Sequence, residues 1–122
     1  MAAELILIVE DNEKNLKLVR DLLQVKGYQT LEAGTAELGV ELARRHTPQL
    51  ILMDIQLPGM DGVAALGQLK ADPTTAKIPV IALTAFAMKD DHERFRSAGF
   101  DGYLVKPINI RELLEVVREF CK

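Results

Sequence analysis

The chain has 122 residues, a length for one domain, and 48% of them are apolar, so a core can form without disulfides or a structural metal. Its net charge of −3 argues against a nucleic-acid-binding module, which presents a basic face or stripe. With one cysteine, Cys121, an internal disulfide is excluded and a reducing compartment is the natural setting.

Leu5–Val9 is an unbroken run of leucine and β-branched residues, followed by a helical pattern over Asn12 to Lys26. That helix carries Leu16, Val19, Leu22 and Leu23 on one stripe, and Gly27 stops it. Gln29–Ala33 is a weaker strand candidate, suited to a sheet edge, and Thr35 is placed to cap a helix reaching about His46 before Pro48. Leu50–Met53 is a second unbroken run with Asp54 at its end. A helix from Asp61 or Gly62 to Ala71 follows, stopped by Asp72-Pro73. Pro79–Leu83 is a third run, closed by Thr84. The fourth helix, Ala87 to Ala98, is rich in charge, with Met88, Phe95 and Ala98 as its few apolar anchors and Gly99 past its end. Tyr103–Val105 is another edge candidate. Asn109 to Cys121 closes the chain with Ile110, Leu113, Leu114, Val117, Phe120 and Cys121 on a broad apolar stripe, and Asn109 with Glu112 has the spacing of a capping box. Cys121 is therefore expected to pack rather than react.

Unbroken apolar strands suit a sheet covered on both faces, and alternating strands and helices imply a parallel sheet with right-handed crossovers. The expected fold is α/β: (βα)5, a doubly wound five-stranded parallel sheet in one domain. No basic leader precedes Leu5, and Ile78 to Met88, the longest nearly apolar stretch, is too short to span a bilayer and contains Pro79 and Thr84. A cytoplasmic protein without membrane insertion is expected.

In such folds ligands sit at the carboxyl ends of the strands. Those ends carry Glu10 and Asp11, Asp54, Thr84, and Lys106-Pro107. Singly, each has an ordinary reading: helix N-terminal charge, an Asx turn, a β-branched strand residue, a solvated lysine. Five together favour a site. Three clustered carboxylates repel, and a hard divalent cation such as Mg²⁺ resolves this through oxygen ligands while recruiting a phosphate oxygen. The chemistry that fits is phosphoryl transfer, with Asp54 as nucleophile, and Lys106, Thr84 and the metal neutralising the transferring oxygens. Asp11 would ligate the metal directly, with Glu10 close by or acting through water, and the backbone carbonyl of Gln56 would complete the protein ligands.

The blocks Val9–Asn12, Ile51–Gly62, Ile81–Ala85 and Tyr103–Pro107 resemble, in order and spacing, the four signature blocks of response-regulator receiver domains, across essentially the whole chain. The stretch Leu83–Met88 is similar to single-domain cell-division regulators of the DivK type. The resemblance implies the flavodoxin-like strand order 2-1-3-4-5. It also implies Asp54 as phosphoacceptor, Glu10 and Asp11 in the metal pocket, and Thr84 and Lys106 as the phosphate-sensing pair. Mg²⁺ is the expected cofactor, with Mn²⁺ able to substitute, and a histidine kinase or histidine phosphotransfer protein is the expected donor. A cis Lys106–Pro107 bond is implied as well. Tyr103 matches the switch aromatic, whose ring turns inward when Thr84 is drawn to the phosphoryl group. Gln56 and Phe86 match positions that border the path of hydrolytic water.

With no further domain after the fifth helix, output is expected through binding of a downstream protein by the fourth helix, fifth strand and fifth helix, from a stand-alone monomer or weak homodimer. His46 and His92 are expected at the surface. Three alternatives compete: a haloacid-dehalogenase-type phosphatase, which would want a second Asp where Gln56 stands; a flavodoxin-like electron carrier, whose phosphate Glu10 and Asp11 would repel; and a binding-only receiver without phosphorylation.

Overall fold

The computed structural model describes residues 4–57, 59–85 and 89–121, with residues 89–92 described by their backbone only. Its elements run β1 (Leu5–Val9), α1 (Glu13–Val25), β2 (Gln29–Ala33), α2 (Ala36–His46), β3 (Leu50–Asp54), α3 (Gly62–Ala71), β4 (Val80–Thr84), α4 (Lys89–Ala98), β5 (Gly102–Val105) and α5 (Ile110–Phe120). The five strands form one parallel sheet in the order β2-β1-β3-β4-β5, as expected.

The pleat explains the unbroken runs. Leu7, Val9, Ile51, Met53, Val80 and Ala82 pack on one face with α2, α3 and α4; Ile6, Ile8, Leu50, Leu52, Ile81 and Leu83 pack on the other with α1 and α5. Each fully buried aliphatic side chain contributes roughly 1.5–3 kcal/mol relative to exposure. The weak candidates β2 and β5 are the edges, and both are only partly covered.

Polar residues set the helix starts. Asn12, Thr35, Asp61 and Asn109 each accept a hydrogen bond from the backbone N–H three residues on, satisfying a donor that the first turn leaves open. Asn12 and Asn109, the first residues of the helices the periodicity suggested, are thus caps one residue outside α1 and α5, and Lys26 and Cys121 are the C-caps. β4 begins at Val80 rather than Pro79, because proline has no N–H for the ladder; the Pro79 carbonyl still accepts from Ile51. The Lys106–Pro107 bond is cis.

Two expected anchors stand in solvent. Ala98 is exposed, because α4 ends there and its buried face is continued by Phe100, which meets the buried Phe95 edge-on at 6.1 Å between ring centroids. Ile110 is 50% exposed, because the first turn of α5 lies past the carboxyl ends of the strands. Met88, the start expected for α4 at Ala87, and Phe86 lie outside the described residues, as does the side chain of His92. His46 is exposed, as expected.

Candidate functional site

Sheet register assembles the site. Val9 of β1 pairs with Met53 of β3, so the next residues, Glu10 and Asp54, emerge side by side. The Glu10 N–H is held by the Ala33 carbonyl of β2 at 3.0 Å. Thr84 ends β4, and the Lys106 N–H donates to its carbonyl at 2.7 Å. The long Lys106 side chain crosses from the edge strand to place Nζ 2.8 Å from Asp54 Oδ2 and 2.9 Å from Glu10 Oε2. Glu10, Asp54 and Thr84 are buried, whereas Asp11 is exposed.

Two backbone amides complete the frame. Asn12 N–H donates to Glu10 Oε1 at 3.1 Å, and Gln56 N–H donates to Asp54 Oδ1 at 3.0 Å. Residue types do not reveal such donors. The Gln56 side chain itself is exposed, so its part in the site is through its backbone.

The electrostatics follow from burial with incomplete neutralisation. The Glu10 carboxyl is pushed up to about 7, first by burial and then by a hydrogen bond shared with Asp54; Lys106 and the Asn12 amide oppose this. Burial alone would lower the Lys106 ammonium, but the hydrogen bond to Asp54 and the ion pair with Glu10 outweigh it and hold it above its ordinary value. It therefore stays a cation.

The donor set fits a divalent metal. One carboxylate oxygen from each of Glu10, Asp11 and Asp54 lies within 4.8 Å of the others. Glu10 Oε2 is buried, and its 2.9 Å contact with Nζ is an ion pair without hydrogen-bond geometry, so a lone pair is left for a ligand. Hard all-oxygen donors, two of them in buried side chains, suit Mg²⁺.

Tyr103 stands apart from the carboxylates. It pairs with Ala82, two residues before Thr84, so the pleat puts Tyr103 and Thr84 on the α4 side of the sheet. The residue is 36% exposed and borders a recess of about 470 Å³ between α4, β5 and α5, which Phe95, Arg96, Phe100, Val116 and Phe120 also line. Cys121 is buried, with its thiol pushed up to about 11 mainly by burial, as packing requires.

A family model described as the response regulator receiver domain matches residues 6–118. Proteins named polar-differentiation response regulator DivK, from Brucella ovis and Brucella melitensis among others, are 47% identical over 115 residues, covering 94% of both chains. The receiver domain of the sensor histidine kinase PA1611 from Pseudomonas aeruginosa superposes with a TM-score of 0.90 at 34% identity over 98% of both chains; that structure has a magnesium ion coordinated in its active-site cleft. The chemotaxis protein CheY4 of Vibrio cholerae, at 24% identity, shares the fold with a TM-score of 0.91 over 98% of this chain and 99% of its own. No helix among the described residues is long and apolar enough to cross a membrane. Strand order, acidic cluster and sequence thus agree, and the chain belongs to the response regulator receiver domain family of two-component signalling.

Proposed function

We propose that this receiver takes a phosphoryl group from a phosphohistidine onto Asp54 and passes the signal on by binding. The observation that carries the reading is the approach of Lys106 Nζ to within 2.8 Å of Asp54 Oδ2 inside a cluster of three carboxylates. Asp54 supplies the attacking carboxylate oxygen; the new P–O bond replaces the P–N bond, and the donor imidazole leaves. The Gln56 amide on Oδ1 fixes the carboxylate plane, so that one oxygen is oriented while the other reacts. Lys106 and the Thr84 hydroxyl meet the equatorial oxygens of the transferring group. Glu10, Asp11, Asp54 and the Gln56 carbonyl would hold Mg²⁺, with Mn²⁺ as a substitute. When bound, the ion neutralises charge on the phosphoryl oxygens and the carboxylates.

The donor is a cytoplasmic histidine kinase or histidine phosphotransfer protein. The chain turns over no external phosphomonoester. Output runs from Thr84 to Tyr103 on the same side of the sheet, and from there to the recess between α4, β5 and α5, which supplies apolar walls for a downstream protein. The α4 helix suits a responsive element, since Phe95 is its buried anchor among the described side chains.

The test is incubation with acetyl phosphate and Mg²⁺, read by intact mass. One phosphoryl group should add, and Asp54→Asn or chelation should abolish the gain. An unmodified wild-type protein that also forms no stable beryllofluoride complex would leave a binding-only receiver.

A further inference from the structure

We propose that Glu37 is a positioning residue for this site, acting by fastening the loop that presents the Gln56 backbone; the inference rests on the metal-binding reading above. Glu37 lies in the first turn of α2, and its Oε1 accepts the Met60 N–H at 3.3 Å across a sequence separation of 23 residues. Both its carboxylate oxygens lie over Gly59, within 3.8 Å of where a Cβ would stand.

The loop is therefore held at both ends. At its base Gly62 N–H donates to the Ile55 carbonyl at 3.0 Å, and at its tip Glu37 takes the Met60 amide. Between these points lies Gln56, whose amide holds Asp54 and whose carbonyl is the candidate metal ligand.

The far end of this strut is fixed too. A Cβ on Gly39, two residues after Glu37, would meet Val9 Cγ2 at 2.7 Å, so α2 is pressed onto the last residue of β1. Val9 directly precedes Glu10. Helix α2 thus ties the strand end that carries the acidic pair to the loop that carries the backbone ligand. In sequence, Glu37 reads only as an acid in a helix's first turn, favoured there by the macrodipole. The structure gives it a partner on another element. Groups that orient metal ligands without touching the ion typically matter by 10- to 100-fold in affinity, and an exposed hydrogen bond belongs at the low end of that range.

The test is Mg²⁺ titration by calorimetry on the full chain, with amide hydrogen exchange at Met60 and melting curves alongside. Glu37→Ala should weaken Mg²⁺ binding about tenfold and expose the Met60 amide to exchange. Glu37→Gln, which keeps an acceptor oxygen at the same reach, should stay within about twofold of wild type and retain Met60 protection. Glu41→Ala, one turn further on and paired with Arg45, should change neither. The inference is overturned if Glu37→Ala binds Mg²⁺ as wild type does, if Glu37→Gln loses as much as Glu37→Ala, or if Glu41→Ala loses as much. Should Glu37→Ala not fold, Glu37→Asp, one methylene short of Met60, takes its place with the same expected loss. Wild-type protein that binds no Mg²⁺ would instead overturn the metal-binding reading, and this inference with it.

Discussion

The α-carbon of Gly62 faces the Asp54 carbonyl so closely that a Cβ there would stand 2.5 Å from that oxygen and 2.9 Å from Ile55 Cα. Both neighbours are backbone, which cannot swing aside as a side-chain tip can. The N-terminus of α3 is thereby seated against the strand end that carries the candidate phosphoacceptor. Gly62→Ala should cost about 1–3 kcal/mol in chemical denaturation. It should also slow acetyl phosphate loading, because relief of the clash must move the Asp54 peptide. Wild-type stability and loading in this variant would show that the loop yields freely.

Lys106 links two buried carboxylates, at 2.8 Å from Asp54 and 2.9 Å from Glu10. Lys106→Met should slow phosphorylation by acetyl phosphate about 100-fold, the scale for losing one charge-stabilising donor. Mg²⁺ affinity should be kept or raised, since a competing cation has gone. Mass-resolved loading rates and calorimetry separate the two effects. Equal losses in both would mean that Lys106 holds the pocket together rather than acting on the phosphoryl group.

The Glu10 carboxyl sits at about 7 against an ordinary 4.5. A carboxyl raised on folding holds its proton more tightly when folded, so its contribution is fully present below the unfolded value and lost as pH rises through 7. Lys106 is raised from 10.5, so its contribution stays constant through this window. Metal-free protein should therefore melt lower at about pH 8 than at about pH 5.5, and Mg²⁺ should lift Tm more at the higher pH. Melting curves at both pH values, with and without Mg²⁺, give the answer. A Mg²⁺ increment independent of pH would mean that metal and proton do not compete at Glu10.

Cys121 is buried, with its thiol pushed up to about 11. Since the thiolate is the nucleophile, native protein at neutral pH should react with iodoacetamide far more slowly than denatured protein. Comparable rates, followed by mass, would mean that the end of α5 frays open.

How much of this was legible in sequence depends on what each residue does. β1, β3 and β4 announced themselves because both faces of each strand are covered, which demands unbroken apolar runs. β2 and β5 did so weakly, because edge strands need less cover. The carboxylates and Lys106 were visible because side-chain chemistry clusters at strand ends. The Asn12 and Gln56 amides, the Gly62 approach and the Glu37 clasp were not, since backbone donors and close contacts leave no mark on residue type. Ala98 and Ile110 misled because periodicity marks a face but not where along a helix that face outruns the sheet.

Tyr103 and Thr84 share one side of the sheet, and Tyr103 is exposed beside a recess that could take its ring. The chain has no tryptophan, which makes Tyr103→Trp a clean reporter. On phosphorylation with acetyl phosphate and Mg²⁺, its emission should shift to the blue and become harder to quench with iodide as the ring leaves water. Thr84→Ala in the same background should still accept the phosphoryl group but lose the shift, because the hydroxyl that senses it is gone. A shift that survives Thr84→Ala would route the signal to β5 by way of Lys106, whose N–H is bonded to the Thr84 carbonyl and would outlast the side-chain deletion.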